Sequence, residues 1–291
     1  MNVRVLLTGA TGQLGYELAR TMPVGVTLQA LTREDLDLSD AAAVARVIDA
    51  HRPAVIINAA AYTSVDRAES EPALAESINA GGVRALGLAA ARCEARVIHI
   101  STDFVFGDGS GRPWRTDDAT APQSVYGRTK RDGEVALLET LGSRALVIRT
   151  AWLYSAHGTN FVKTMLRLMR ERESVRVVAD QVGTPTWART LATTTWAAVD
   201  RPDVSGILHW TDAGVASWYD LAVAICEEVL AIGLLSRKVQ VLPIATSDYP
   251  TPAVRPAYSV LDKAATEAAL GVHPQHWRTS LRLMLPELAD A

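Results

Sequence analysis

Val3-Arg4-Val5-Leu6-Leu7-Thr8-Gly9-Ala10-Thr11-Gly12-Gln13-Leu14-Gly15-Tyr16 decides the fold of this chain. Its first six residues are mostly β-branched or aliphatic, as a strand covered on both faces requires. Gly9, Gly12 and Gly15 follow in G-x-x-G-x-x-G spacing, and residues 16–22 continue with helical periodicity. Glycines at such a strand-to-helix turn let the backbone approach a pyrophosphate, and the free N–H groups of the helix start bind it. Gly9, Thr11, Gly12, Gln13 and Leu14 are therefore candidate cofactor contacts.

Working outward, strands are expected at 26–31, 54–58, 96–101 and 145–149, with helices between them. Strict alternation of strand and helix argues an α/β fold, a Rossmann-like doubly wound parallel sheet with helices on both faces. Ligands of such sheets lie beyond the carboxyl ends of the strands. The second strand ends in Thr32-Arg33, where an NAD-binding domain usually places an acid on the ribose hydroxyl. A guanidinium suits a 2′-phosphate, so Arg33 favours NADPH, with NADH as the alternative. Asp37 and Leu38 fall where a loop beside the adenine would run. Ala59, Ala60 and Ala61 leave the third strand as small residues that admit a flat ligand, with Tyr62, a further candidate cofactor contact, and Thr63 next to them. One long helix is expected over 73–93; Asn79 inside it is a poor helix former, taken to anchor a neighbouring loop on the cofactor side.

The fourth strand delivers Ser101, Thr102 and Asp103 to its end, and a helix opens at Val125-Tyr126-Gly127-Arg128-Thr129-Lys130. Tyr126 and Lys130 are four apart and share a helix face. A nearby ammonium is expected to lower the phenol pKa, making Tyr126 a proton donor or acceptor, while the Thr102 hydroxyl holds a carbonyl oxygen against it.

After residue 150 the texture changes. Helices are expected at 160–172, 188–199 and 218–232, strands at 175–179, 206–210 and 239–244, and a proline-rich loop at 249–256. The expected organisation is a dinucleotide-binding domain over 1–150, with about 184–212 returning to it. A smaller α/β substrate lobe takes 151–183 and 213–291.

Of 291 residues, 48% are apolar and 21% charged, the balance of a soluble globular chain. A net charge of −3 offers no general attraction to nucleic acid or anionic membrane. Cys93 and Cys226 are no disulfide framework. No apolar run spans a bilayer, and the first residues carry no signal-peptide core, so a cytoplasmic protein is expected.

Gly9–Gly15, Asn58-Ala59-Ala60-Ala61-Tyr62-Thr63-Ser64-Val65-Asp66, Ser101-Thr102-Asp103-Phe104-Val105-Phe106 and Tyr126-Gly127-Arg128-Thr129-Lys130 together resemble the extended short-chain dehydrogenase/reductases. Five later stretches narrow the resemblance to the dTDP-4-dehydrorhamnose reductases. They are Arg149-Thr150-Ala151-Trp152-Leu153-Tyr154, Asn160-Phe161-Val162, Asp180-Gln181-Val182-Gly183-Thr184-Pro185-Thr186, Ser217-Trp218-Tyr219 and Arg255-Pro256-Ala257-Tyr258-Ser259. The resemblance runs from end to end of the chain.

It implies NADPH-dependent reduction of the C4 keto group of dTDP-4-dehydro-β-L-rhamnose. Thr102, Tyr126 and Lys130 would be catalytic, and Lys130 would also hold the nicotinamide ribose. Thr63, Thr102, Asp103, Trp152, Asn160, Phe161 and Arg255 would meet the dTDP-sugar, Trp152 against the sugar and the last three at the diphosphate. Some such enzymes hold Mg²⁺ between subunits through glutamates; Glu17 matches the first, but Arg189 stands where another is expected, so no metal is expected. Monomer and homodimer both remain open. His273 and His276 read as surface residues.

A 4,6-dehydratase of the same fold needs an acid after Thr-Asp, and Phe104 stands there. The remaining alternatives are an epimerase, a reductase of another dTDP-4-keto-6-deoxy sugar, and a non-catalytic NADP-binding regulatory subunit like that of methionine adenosyltransferase.

Overall fold

The computed structural model of the chain describes residues 3–107, 109 and 111–288. Six parallel strands form the central sheet: β1 (Val3–Thr8), β2 (Val26–Leu31), β3 (Val55–Asn58), β4 (Arg96–Thr102), β5 (Ala145–Thr150) and β6 (Gly206–His209), in the order β6-β5-β4-β3-β1-β2. The chain leaves β1 toward β2 on one side and returns to β3 on the other. That reversal places a crevice at the carboxyl ends of β1 and β3.

Strands this buried need apolar residues on both faces, and two separate cores result. Leu6, Ile56, Val97 and Val147 point to one face, covered by α2 (Ala41–His51), α3 (Val83–Arg92) and α4 (Val125–Leu141). Val5, Leu7, Ile57, Ile98 and Ile148 point to the other, covered by α1 (Gln13–Arg20) and by α6 (Ala188–Val199). A third core lies among α5 (Phe161–Glu171), α7 (Trp218–Ala231), α8 (Trp277–Met284) and the parallel strand pair Ser174–Val178 with Gln240–Ile244.

The helix expected over 73–93 is interrupted. Pro72–Glu76 is α-helical, Ser77–Gly82 is a wider π turn, and α3 resumes at Val83. The extra residue in that turn lets Asn79 face inward, where its amide grips both backbone polar atoms of Tyr62: Oδ1 accepts from N at 2.8 Å and Nδ2 donates to O at 3.1 Å. Gly127 fixes the seat of α4. A Cβ there would meet the Phe104 carbonyl oxygen at 2.1 Å, so only glycine lets this helix rest on the turn after β4. Among the described residues no helix is long and apolar enough to cross a membrane.

Candidate active site

A cleft of about 830 Å³ opens over the carboxyl ends of β1, β3, β4 and β5. Its floor at one end is the glycine turn. Gly9 has φ +75°, and a Cβ on it would stand 2.7 Å from the Ala60 nitrogen, so the turn after β1 and the turn after β3 touch backbone to backbone. Gly12 caps α1 with no side-chain bond, leaving the first N–H groups of that helix open to the cleft. Thr11, Gln13 and Leu14 line it there, Arg33, Asp37 and Leu38 at the end of β2, and Ala59, Ala60, Ala61, Tyr62 and Thr63 beyond β3. This cradle suits a dinucleotide: close backbone, unpaired helix-start donors, and a guanidinium three-quarters exposed at the strand end. A strap from the second half of the chain closes over the turn. His157 stacks on Tyr16 with ring centroids 4.3 Å apart, its Nε2 lies 3.0 Å from the Thr11 carbonyl, and Asn160 Nδ2 donates to Gln13 Oε1 at 2.9 Å.

Midway along the cleft stand Thr102, Asp103, Tyr126 and Lys130. Phe104 sets its edge against the Tyr126 ring at 5.6 Å. The sequence led us to expect a phenol pKa lowered by Lys130, and the structure corrects this. Desolvation pushes the Tyr126 phenol up to about 12, with only the Thr102 hydroxyl pulling the other way. Lys130 is turned elsewhere: Nζ donates to the Ile100 carbonyl at 2.7 Å and lies 3.2 Å from His99 Nε2. Burial brings the Lys130 pKa down to about 8. Asp103, buried beside Thr102, is pushed up to about 6 by the same effect.

At the far end Trp152, Trp218 and Arg255 line the cleft, while Asn160 lines it from the strap over the glycine turn. Trp152 has φ +47°, the left-handed region that bulky residues rarely enter, and this aims its ring across the opening. Trp218, within Ser217-Trp218-Tyr219, is not among the expected site residues; an aromatic at the first position of a capped helix is the signal the sequence holds for it. Two expected contacts stand behind the wall and not on it. Phe161 tilts against Trp218 at 4.7 Å and packs into the core of its own lobe, because α5 turns its apolar face inward. Asn79 spends its amide on Tyr62 and Thr129. Both are supports by position. Asn160 has its polar atoms engaged as well, accepting from Lys163 N and donating to Gln13 and the Ser155 carbonyl. Arg255 forms a two-pronged ion pair with Asp66, at 3.0 and 2.7 Å.

Glu17 is fully buried and bound by guanidinium groups, Arg189 Nε at 3.0 Å and Arg20 Nη1 at 3.6 Å, with Glu287 joining both arginines.

The family described as "RmlD substrate binding domain" matches residues 3–289. The chain belongs to the dTDP-4-dehydrorhamnose reductase family. It is 44% identical over 291 residues to a dTDP-4-dehydrorhamnose reductase of Streptomyces griseus, covering 98% of this chain and 94% of that one. It is 42% identical over 295 residues to one of Escherichia coli K12, covering 98% of each. The crystal structure of dTDP-4-dehydrorhamnose reductase from Bacillus anthracis in complex with NADP superposes with a TM-score of 0.92 at 34% identity, covering 99% of this chain and 100% of that one. Other members of the family therefore share the architecture over essentially its whole length.

Proposed function

We infer that this cleft binds NADPH and dTDP-4-dehydro-β-L-rhamnose and reduces the sugar C4 carbonyl, giving dTDP-L-rhamnose, the last step in making that nucleotide sugar. One observation carries the reading: Tyr126, Thr102 and Lys130 stand midway between a dinucleotide cradle and an aromatic wall, all on one cleft. NADPH supplies the hydride. Tyr126 gives the proton that the developing C4 oxyanion takes, and a phenol pushed up to about 12 is fully protonated at neutral pH, as a donor must be. An alkoxide is more basic still, so the transfer runs downhill. Thr102 orients the carbonyl oxygen, and Lys130 holds the ribose edge. Trp152 and Trp218 carry the sugar, with Asp103 and Thr63 at its hydroxyls and Arg255 toward the diphosphate. Arg33 takes the 2′-phosphate.

Residues 1–150 with about 184–212 bind the cofactor; 151–183 and 213–291 bind the nucleotide sugar. The enzyme works in the cytoplasm as a monomer or homodimer. The test is NADPH oxidation, followed at its near-ultraviolet absorbance, with enzymatically made dTDP-4-dehydrorhamnose. Turnover by the wild-type chain that Tyr126→Phe loses supports the reading. NADPH binding without turnover of this sugar overturns it.

A further inference from the structure

Lys130 is seated on a buried row of polar side chains that the reaction described above does not use. Parallel register sets Thr8 level with Asn58, and Asn58 level with His99, across three neighbouring strands. Hydrogen bonds continue the row. Thr8 Oγ1 donates to Asn58 Oδ1 at 2.6 Å, Asn58 Nδ2 stands 2.9 Å from His99 Nδ1, and His99 Nε2 stands 3.2 Å from Lys130 Nζ. His99 and Asn58 are fully buried, and Thr8 and Lys130 nearly so. Valine or isoleucine would fill the same strand positions without desolvating any polar group, so a continuous polar row calls for a use.

The row has a direction. Asn58 Oδ1 accepts from Thr8 and also from Ala60 N at 3.3 Å, so it is the amide nitrogen that faces His99 Nδ1 and donates. A neutral imidazole that accepts at Nδ1 carries its proton on Nε2, pointing at Lys130. The ring is neutral, because burial and then the charge of Lys130 push its pKa well below the ordinary value. An Nε2–H donates to an amine and opposes an ammonium. Charged Lys130 requires the other tautomer, with Nε2 accepting and Nδ1–H donating to an Asn58 amide turned end for end. Thr8 tolerates both, since a hydroxyl donates or accepts, while the Ala60 N–H, 3.3 Å from Asn58 Oδ1, loses its acceptor in the turned form.

Other groups packed on Lys130 do not settle its charge alone. Its own helix brings Tyr126 one turn before and Glu134 one turn after, and Glu134 is paired with Arg149 of β5 at 2.7 Å. β3 and β4 bring only neutral Asn58 and His99, with Asp103 beyond the end of β4. We propose that His99 is the positioning residue of Lys130: the Thr8–Asn58–His99 row holds Nζ at the cleft floor and ties its proton count to the His99 tautomer. The activity arm of the test rests on the reductase reading; the spectroscopic arm does not.

In ¹⁵N-histidine NMR of the wild-type chain, with His99→Gln assigning the signal, His99 is expected to stay neutral through the pH range where free imidazole titrates. Its two nitrogens should then change together as Lys130 titrates near 8, a change that Lys130→Met erases. An ordinary imidazole titration of His99, or nitrogens indifferent to Lys130, overturns the proposal. In turnover, His99→Leu should lower kcat by about ten- to a hundredfold, with little change in KM, as expected when a catalytic group loses its position. It should also displace the Lys130-linked limb of the pH profile, and His99→Gln, which keeps an acceptor toward Nζ, should recover most of the rate. Equal impairment of both variants with an unmoved limb overturns it too. A wild-type chain inactive on the sugar nucleotide removes the reductase reading and leaves the NMR result to decide this one, as it also does if His99→Leu fails to fold.

Discussion

Trp152 lies flat on Trp218, with ring centroids 3.6 Å apart and planes 4° from parallel. One ring is aimed by a left-handed backbone after β5 and the other by the first residue of a helix whose Ser217–Asp220 capping box fixes its start. Each indole thus has a position set by backbone, and the two together make a rigid wall. Trp218→Leu removes the backing of Trp152. A stacked aromatic pair contributes about 0.5–1.5 kcal/mol beyond its area, so KM for the nucleotide sugar should rise by roughly two- to tenfold. NADPH affinity, read by fluorescence titration, should stay as it is. A variant with wild-type KM would remove Trp218 from the binding wall.

Arg255 and Asp66 pair across 189 residues of chain, joining the loop before Pro256 to the start of the helix Val65–Ser70. Both are partly exposed, so the pair adds little to stability, about 1 kcal/mol at most. Its value lies in holding the guanidinium at the rim. A lysine reaches the same place with the same charge but cannot make the two-pronged pair. Arg255→Lys should therefore raise KM for the nucleotide sugar by about tenfold, the free-energy equivalent of one lost charge-assisted bond. The melting temperature and NADPH affinity should barely move. Steady-state kinetics at two salt concentrations checks this, and an unchanged KM would place Arg255 outside the diphosphate site.

Asp103 holds its proton more tightly in the folded chain than in the unfolded one, with a pKa raised from 3.8 to about 6 because burial disfavours the carboxylate. The folded state binds the extra proton between those values, so stability falls as pH rises through that window. The favourable contribution is whole below 3.8 and gone above about 6. Two units correspond to about 3 kcal/mol. Asp103→Asn carries no charge to desolvate, so its melting temperature should match wild type near pH 4 and exceed it by pH 7. Asp212, raised to about 6 by its own burial, titrates in both proteins and cancels in the comparison. A constant difference between the two proteins across the range would refute the shift.

Much of this was open to reading in the sequence. The strands announce themselves as aliphatic runs, the glycine turn by spacing, and the Tyr126–Lys130 face by the helical period. The family resemblance rests on short motifs that keep their order along the chain. What stayed hidden depends on contacts between distant segments. His99 looks like any residue of a buried strand until register sets it beside Asn58 and under Lys130. Phe161 and Trp218 are both aromatic and both near helix starts, and only packing decides which one faces the cleft. The π turn at Ser77–Gly82 adds one residue to an otherwise regular apolar pattern, which periodicity cannot detect. The direction of the Tyr126 shift turned on desolvation, with the Lys130 ammonium directed to the Ile100 carbonyl and His99 instead of the phenol, and burial is a property of the folded chain alone.

Behind the catalytic helix face, Glu134 and Arg149 form a buried pair, with Nε at 3.0 Å and Nη2 at 2.7 Å from the carboxylate and the guanidinium over the Phe106 ring. Tyr126, Lys130 and Glu134 follow one another at four-residue spacing, so the pair sits directly below Lys130. Glu134→Gln leaves the Arg149 charge buried without its partner, and removing one member of such a pair costs about 3–5 kcal/mol. The same substitution withdraws the one influence that raises the Lys130 pKa, leaving burial to lower it unopposed. The variant should therefore unfold at lower denaturant and shift its Lys130-linked pH transition toward acid. Replacing both partners, with Glu134→Leu and Arg149→Met, should recover much of the stability, since no unpaired charge remains. It should not recover the transition, because the field of Glu134 is still missing. Denaturant melts and the pH dependence of kcat on the three proteins separate these effects. If the transition returned in the double variant, the influence on Lys130 would come from packing and not from charge.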